Sequence, residues 1–176
     1  MKTKAYFLPG FVVMLALLLG ACDDDDEGNM TPETGEIAVN MIFPTDWDRA
    51  ENFTEQVALV GYSPLEGPND PFQENVNIVT ERADGFALDT YYEATLEALT
   101  FLNDYRLLSS KDTVVNSYEA KKIIFTASSN AGQFQFMDFI FYQQDHGIVI
   151  TCTARQDTFA DYEAEFLQIV GTFEVQ

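Results

Sequence analysis

The sequence predicts an α/β sandwich, with a central, largely antiparallel sheet covered by helices on both faces (α/β/α). Three observations carry that expectation. Lys121 to Ala127, Phe134 to Tyr142 and Ile148 to Ala154 are β-rich runs in close succession, and the turn-rich pieces between them make a meander of two hairpins. The middle run is apolar at both parities, with Phe134, Phe136, Ile140 and Tyr142 on one side and Met137, Phe139 and Phe141 on the other. A strand that is apolar on both faces must be covered on both. Two further segments, 88–102 and 158–171, switch to helical periodicity and supply the covering layers.

Taken in order, Glu36 to Phe43 alternates weakly and stops at Pro44, reading as a first strand. Gln56 to Tyr62 is a second, and Asn75 to Thr80 a third. Between them, Ser63 to Pro71 crowds Pro, Gly, Asn and Asp into a loop. In 88–102, Leu88, Tyr92, Leu96, Leu99 and Leu102 fall three or four apart, with Glu93 and Glu97 off that stripe. A strand around Tyr105 to Leu108 follows. Thr158-Phe159-Ala160-Asp161 fits a capping box. Phe159, Tyr162, Phe166, Ile169 and Val170 form the last helix's buried stripe, and Gly171 stops it. Thr172 to Val175 returns as a short edge strand.

Composition excludes several function classes. The chain has 176 residues with 29 acidic and 9 basic side chains, a formal charge of −20, which repels a polyanion and argues against nucleic-acid binding. One His and two Cys cannot build a multi-histidine metal site or a thiolate cluster. No cofactor-binding motif is present.

The N-terminus carries an address. Lys2 and Lys4 precede an apolar run from Phe11 to Leu19, too short to span a bilayer, which takes about 20 residues, but suited to a secretory signal. It ends Leu19-Gly20-Ala21-Cys22, which resembles the lipobox of bacterial lipoproteins. That resemblance implies removal of residues 1–21, lipidation of Cys22 and a membrane anchor of several acyl chains. The mature chain would carry 7 basic and 29 acidic groups over 155 residues.

Asp23, Asp24, Asp25, Asp26 and Glu27 come next, followed by Gly-, Asn-, Thr- and Pro-containing sequence to Gly35. Residues 22–35 therefore read as the lipidated Cys plus an acidic tether. The acidic run also resembles the surface-export signal of lipoproteins in one group of diderm bacteria, which implies the outer membrane and surface exposure. A weak divalent-cation site is a third reading of the same carboxylates, unsupported by any spaced calcium loop. Residues 36–176 form the globular domain.

Within that domain several residues resemble the PsbP/DcrB-like family. Phe43-Pro44-Thr45-Asp46-Trp47 is similar to its Phe/Tyr-Pro-x-x-Trp opening, and Asn75-Val76-Asn77-Ile78 to its third strand. Leu88 to Leu102 sits where the family has its first long helix, with Ala87 where many members place Ser. Gly147 to Ala154 and Phe166 to Phe173 are similar to its terminal strand, helix and closing Phe. The resemblance spans residues 36–175 in order and implies an α/β/α sandwich without a catalytic motif.

Candidate chemistry is sparse. His146 lies in an Asp-His-Gly turn, expected to be exposed, and a hydrolase would need it beside Ser128 or Ser129. Cys152 shares a strand face with Ile148 and Ile150 and reads as a small buried hydrophobe. Asp46, Trp47 and Asp48 could bind a glycan or other small ligand through indole stacking and carboxylates, against the plainer reading of a core Trp flanked by solvated acids. Glu93 and Glu97 read as the wet face of a helix. The expectation is a non-enzymatic, membrane-anchored envelope lipoprotein that binds or assists an envelope protein or ligand, with a glycan-binding module as the alternative and an unrecognised hydrolase as a minor one.

Overall fold

The computed structural model describes residues 37–51, 53–54, 57–68 and 70–176. In chain order its elements are β1 (Val39–Asn40), β2 (Asp48–Glu51), β3 (Val57–Tyr62), β4 (Asn75–Arg82), α1 (Leu88–Leu99), β5 (Arg106–Val115), β6 (Tyr118–Ser129), β7 (Gly132–Gln143), β8 (His146–Arg155), α2 (Phe159–Val170) and β9 (Glu174–Val175). Seven strands form one sheet in the order β2-β3-β4-β8-β7-β6-β5, and every pairing in it is antiparallel.

Strands β5 to β8 make a four-strand meander, one hairpin longer than the sequence predicts. Asn116-Ser117 and Gln144-Asp145 turn two of its corners at positive φ (44° and 75°, 49° and 62°), the left-handed backbone that two-residue hairpin loops favour. Gly132, at φ 135°, opens β7 in a conformation that side chains disfavour.

The two-faced strand behaves as its pattern requires. Met137, Phe139 and Phe141 of β7 pack with Ile148, Ile150 and Cys152 of β8 and with Phe159, Phe166 and Ile169 of α2. Phe134, Phe136 and Ile140 pack on the opposite face with Ile123, Phe125 and the α1 residues Tyr91 and Leu99, and Tyr142 lies against that same cluster. Helix α1 buries Tyr91, Thr95 and Leu99, with Leu88, Tyr92 and Leu96 half-buried beside them. The expected stripe is thus rotated by about one residue. The rotation follows from Gly147, where a Cβ would stand 2.0 Å from the Tyr91 ring. The ring occupies the space that glycine leaves, and its hydroxyl donates to Glu81 (2.7 Å).

Several expectations are corrected. The strand expected over 36–43 is reduced to Val39–Asn40, which pairs with β9 in a separate two-stranded sheet, because Ile37 and Met41 are drawn into the core. Thr172 to Val175 accordingly does not edge the main sheet. Thr158 is the N-cap of α2, but its hydroxyl accepts no hydrogen bond from the helix, so the capping box is not formed; the hydroxyl is turned to Glu74, to which it donates (3.1 Å). Gly171 ends α2 at φ −60° without left-handed backbone. His146 is not exposed: it begins β8, is 9% accessible, and sits 2.7 Å from the Gln144 carbonyl through Nδ1.

A polar row crosses the α1 side of the sheet, where Asn77, Thr151 and Asp138 stand opposite one another on β4, β8 and β7. All three are buried. Neither Asp138 carboxyl oxygen has a hydrogen-bond partner of good geometry. Burial pushes Asp138 up to about 8, against a small opposing pull from the nearby Thr151 hydroxyl.

Candidate interaction surface

Among the described residues, the sheet order leaves two strands with an unpaired side, β2 and β5. Strand β5 is the long one. Residues 106–112 and 114 are exposed along it, including Leu107 (41%), Leu108 (46%) and Val114 (64%). Phe101, just before it, is 86% accessible. An exposed strand of this length presents a row of backbone donors and acceptors to any extended chain.

One face of β5 is fixed by α1. The Tyr92 and Ser110 hydroxyls are 2.6 Å apart, and Lys121 Nζ of β6 bridges Asp89 of α1 (2.6 Å) and Asp112 of β5 (2.7 Å). Those two carboxylates hold the Lys121 ammonium well above its ordinary value. The strand is therefore ordered in advance, which lowers the entropic cost of docking another strand on it.

The other face carries charge. A bulge between Leu107 and Ser109 shifts the register, so that Arg106 lies opposite Thr126 and Lys111 opposite Lys122. Those partners are four residues apart on β6 and share one face. Without the bulge, Arg106 and Lys111, five apart, would point to opposite sides. The remaining cations of the described residues, Arg49, Arg82, Lys121, Lys122 and Arg155, all lie within 4.0 Å of a carboxylate. Arg106 and Lys111 make no such pair among the described residues. Burial holds the neighbouring Lys122 ammonium below its ordinary value, and Lys111 adds to that effect.

The residues singled out in the sequence are placed as follows. Trp47 is 7% accessible, stacked on Phe43 (6.0 Å between centroids) and edge-on to Phe166 (6.4 Å). Asp46 and Asp48 flank it in solvent. Its indole is spent on packing, which leaves no open ring face for a sugar. Ser128 pairs with Gln133 and His146 with Gln143, ten residues apart along β7 or about 33 Å, so no nucleophile–base pair forms there. Ser128 instead hydrogen-bonds Asp104. Cys152 is free and fully buried, and burial raises its thiol well above the ordinary range. Glu93 and Glu97 lie on the wet face of α1. Cys22 and Asp23, Asp24, Asp25 and Asp26 lie outside the described residues.

An open cleft of about 580 Å³ lies between Phe86–Leu88 and Ser117–Glu119. Among the described residues Glu119 is the one charged group lining it, and no acid–base pair of theirs converges there. Among the described residues no helix is long and apolar enough to cross a membrane.

With a seven-stranded antiparallel sheet between two helical layers established, solved structures supply the comparison. LpqN of Mycobacterium tuberculosis, described as involved in cell envelope biogenesis, superposes at TM-score 0.63 with 11% identity, covering 82% of this chain and 86% of its own. Cyanobacterial PsbP (CyanoP) of Synechocystis superposes at 0.52 with 11% identity, covering 84% and 98%. The fold is PsbP-like. A Pseudomonas aeruginosa protein of unknown function, PA94, shares the PsbP-like architecture at TM-score 0.59 and 16% identity, covering 78% of this chain and 96% of that one. None of the three is described as an enzyme. No protein-family model matches the sequence, and no curated protein matches it either.

The sequence reading missed β5 as a surface. Only Tyr105 to Leu108 was legible as strand, because Ser109, Ser110, Lys111 and Asp112 carry no apolar alternation. The available signal was Asn116-Ser117, a two-residue turn ahead of the β-rich run from Lys121.

Proposed function

We propose that this chain is a non-enzymatic, lipid-anchored protein of the cell envelope whose PsbP-like domain binds or assists another envelope protein by accepting an extended segment along β5. The observation that carries this reading is the ten-residue edge strand, pinned on one side by α1 and open on the other. Main-chain hydrogen bonds would supply affinity, and Leu107, Leu108 and Val114 would select apolar side chains on the incoming strand. The lipobox-like Leu19 to Cys22 supports an anchor at Cys22, and the run Asp23 to Asp26 supports delivery to the outer membrane and the surface. The description of LpqN fits the same compartment.

The test is affinity isolation of the full chain from detergent-solubilised envelopes, in wild type, in Leu107→Lys/Leu108→Lys and in Cys22→Ser. The proposal expects a stoichiometric partner with wild type and its loss with the double lysine variant. It expects Cys22→Ser to leave the membrane fraction. A partner retained by the double lysine variant would move the docking site elsewhere, and a membrane-bound Cys22→Ser would remove the anchor.

A further inference from the structure

We infer that the segment accepted by β5 is acidic: an extended strand of another envelope protein, with carboxylates four residues apart on the side that faces α2. The inference rests on reading β5 as a docking edge and adds the chemistry of what docks there. Three observations carry it.

The first is how charge is divided between the two faces of the edge. Side chains alternate along a strand, and Tyr118, Ala120 and Ile124 of β6 pack with the α2-side core. Lys122 and Thr126 share their parity, and Lys111 and Arg106 stand opposite those two. The charged side chains of β5 and β6 on the α2 side are therefore all cations: Arg106, Lys111 and Lys122. The other side is mixed, with Asp112 and Glu119 against Lys121, and Asp112 is held by Lys121 at 2.7 Å.

The second is that two of the three cations are not engaged. Glu163 of α2 comes within 4.0 Å of Lys122, while Arg106 and Lys111 make no ion pair among the described residues. Both are exposed. In a chain with 29 acidic and 9 basic side chains, this face inverts the net charge locally. The overall −20 repels an acidic segment at a distance. At physiological salt, however, the Debye length is about 8 Å. Inside that distance the nearest charges weigh most, and on this face they are positive.

The third is register. The bulge brings Arg106 and Lys111 to partners four residues apart on β6, Thr126 and Lys122, or about 13 Å. A strand added on the open side of β5 meets the same spacing. Its residue i opposite Arg106 and its residue i + 4 opposite Lys111 then lie on one face, where Asp or Glu at both completes two cross-strand pairs of unlike charge. Residues i + 1 and i + 7 fall opposite Leu107 and Val114 on the other face, where apolar side chains suit. A second copy of this chain does not fit. Two β5 strands paired about a two-fold axis keep like faces together, so the cationic side of one would meet the cationic side of the other.

Titration of the purified full chain in detergent with synthetic ten-residue peptides tests this, read from the amide shifts of Arg106 to Val115. The first peptide carries Glu at positions 2 and 6, Val at positions 3 and 9 and Thr elsewhere. The second and third carry Gln or Lys in place of both Glu. The Glu peptide should bind about tenfold more tightly than the Gln peptide, as two exposed ion pairs allow, and the Lys peptide more weakly than either. Moving the second Glu to position 5, which turns it to the other face, should lose about threefold. Arg106→Gln/Lys111→Gln should keep the melting temperature and bind the Glu and Gln peptides alike. Equal binding of those two peptides to wild type, or a Glu preference that survives in the double Gln variant, would overturn the inference and leave the docking edge standing. A double Gln variant that pairs with itself through β5 would make the cations guards against self-association, and the inference would fall. If none of the peptides shifts β5, the docking edge itself fails and the inference with it.

Discussion

The two edges of the sheet are built differently. Strand β2 is four residues long, and its cation Arg49 is engaged by Glu51 (2.6 Å) and by Asn40 (3.2 Å). The Phe43 ring packs on the face of neighbouring β3, 2.2 Å from where a Cβ on Gly61 would stand. Strand β5 is ten residues long, keeps three large apolar side chains in solvent and carries two cations without ion pairs among the described residues. Natural sheets blunt their edges with short strands, charge and covering groups. The β2 edge uses the first two. The β5 edge is stiffened from behind by Tyr92, Asp89 and Lys121 and left open in front. Sequence investment in holding a strand still, without closing it, is what a docking edge requires.

That contrast can be broken from the β2 side first. Gly61→Ala should displace Phe43 and cost about 2 kcal/mol through overpacking, read as a lower denaturant midpoint at unchanged slope. The matching change on the other edge, Ser109→Ala, should alter stability by less than about 0.5 kcal/mol.

Between the edges, Asp138 sets the pH dependence. Its pKa is raised in the folded state to about 8, so the folded chain keeps a proton that the unfolded chain releases. Stability is then fully present below the unfolded carboxylate's value and falls as pH rises toward 8, by at most about 1.4 kcal/mol per unit. Asp138→Asn should flatten that decline, measured as melting temperature against pH from 5 to 9. An undiminished slope in the variant would assign the dependence to other groups.

Ala87 stands at the N-cap of helix α1 and supplies no side-chain cap. Ala87→Ser should raise stability by about 1 kcal/mol in thermal melts while leaving β5 as open as before. Smallest of all is Val114→Lys. At 64% accessible it should change stability by less than about 0.5 kcal/mol, yet weaken partner retention on envelope isolation.

The sequence disclosed the sandwich because its strongest signals are those of burial. A β7 run apolar at both parities leaves no other architecture, and the stripe from Phe159 to Val170 has one way to face it. Elements stabilised by something other than alternating hydrophobicity were not legible. Strand β2 reads Asp48-Arg49-Ala50-Glu51, held by pairing with β3, and most of β5 is polar because its neighbour is solvent. The orientation of α1 depended on Gly147, far away in sequence, yielding space to Tyr91. Thr158 had the spacing of a capping residue, but its hydroxyl is turned to Glu74, to which it donates, instead of accepting from the helix N–H groups, and local pattern cannot foresee a partner 84 residues away. The surface itself was hidden for a related reason. A one-residue bulge places Arg106 and Lys111 on one side, and parity counted along the sequence puts them on opposite sides.

The central claim is that β5 is open to a strand and β2 is closed. The most direct measurement places a photo-activated cross-linking residue at position 114 on β5 or at position 51 on β2, in the full chain in living cells. The account predicts a discrete higher-mass adduct from position 114, lost when Leu107 and Leu108 are both changed to Lys, and none from position 51. Adducts from position 51 alone, or none from position 114 with the chain present at normal level in the envelope, would contradict it.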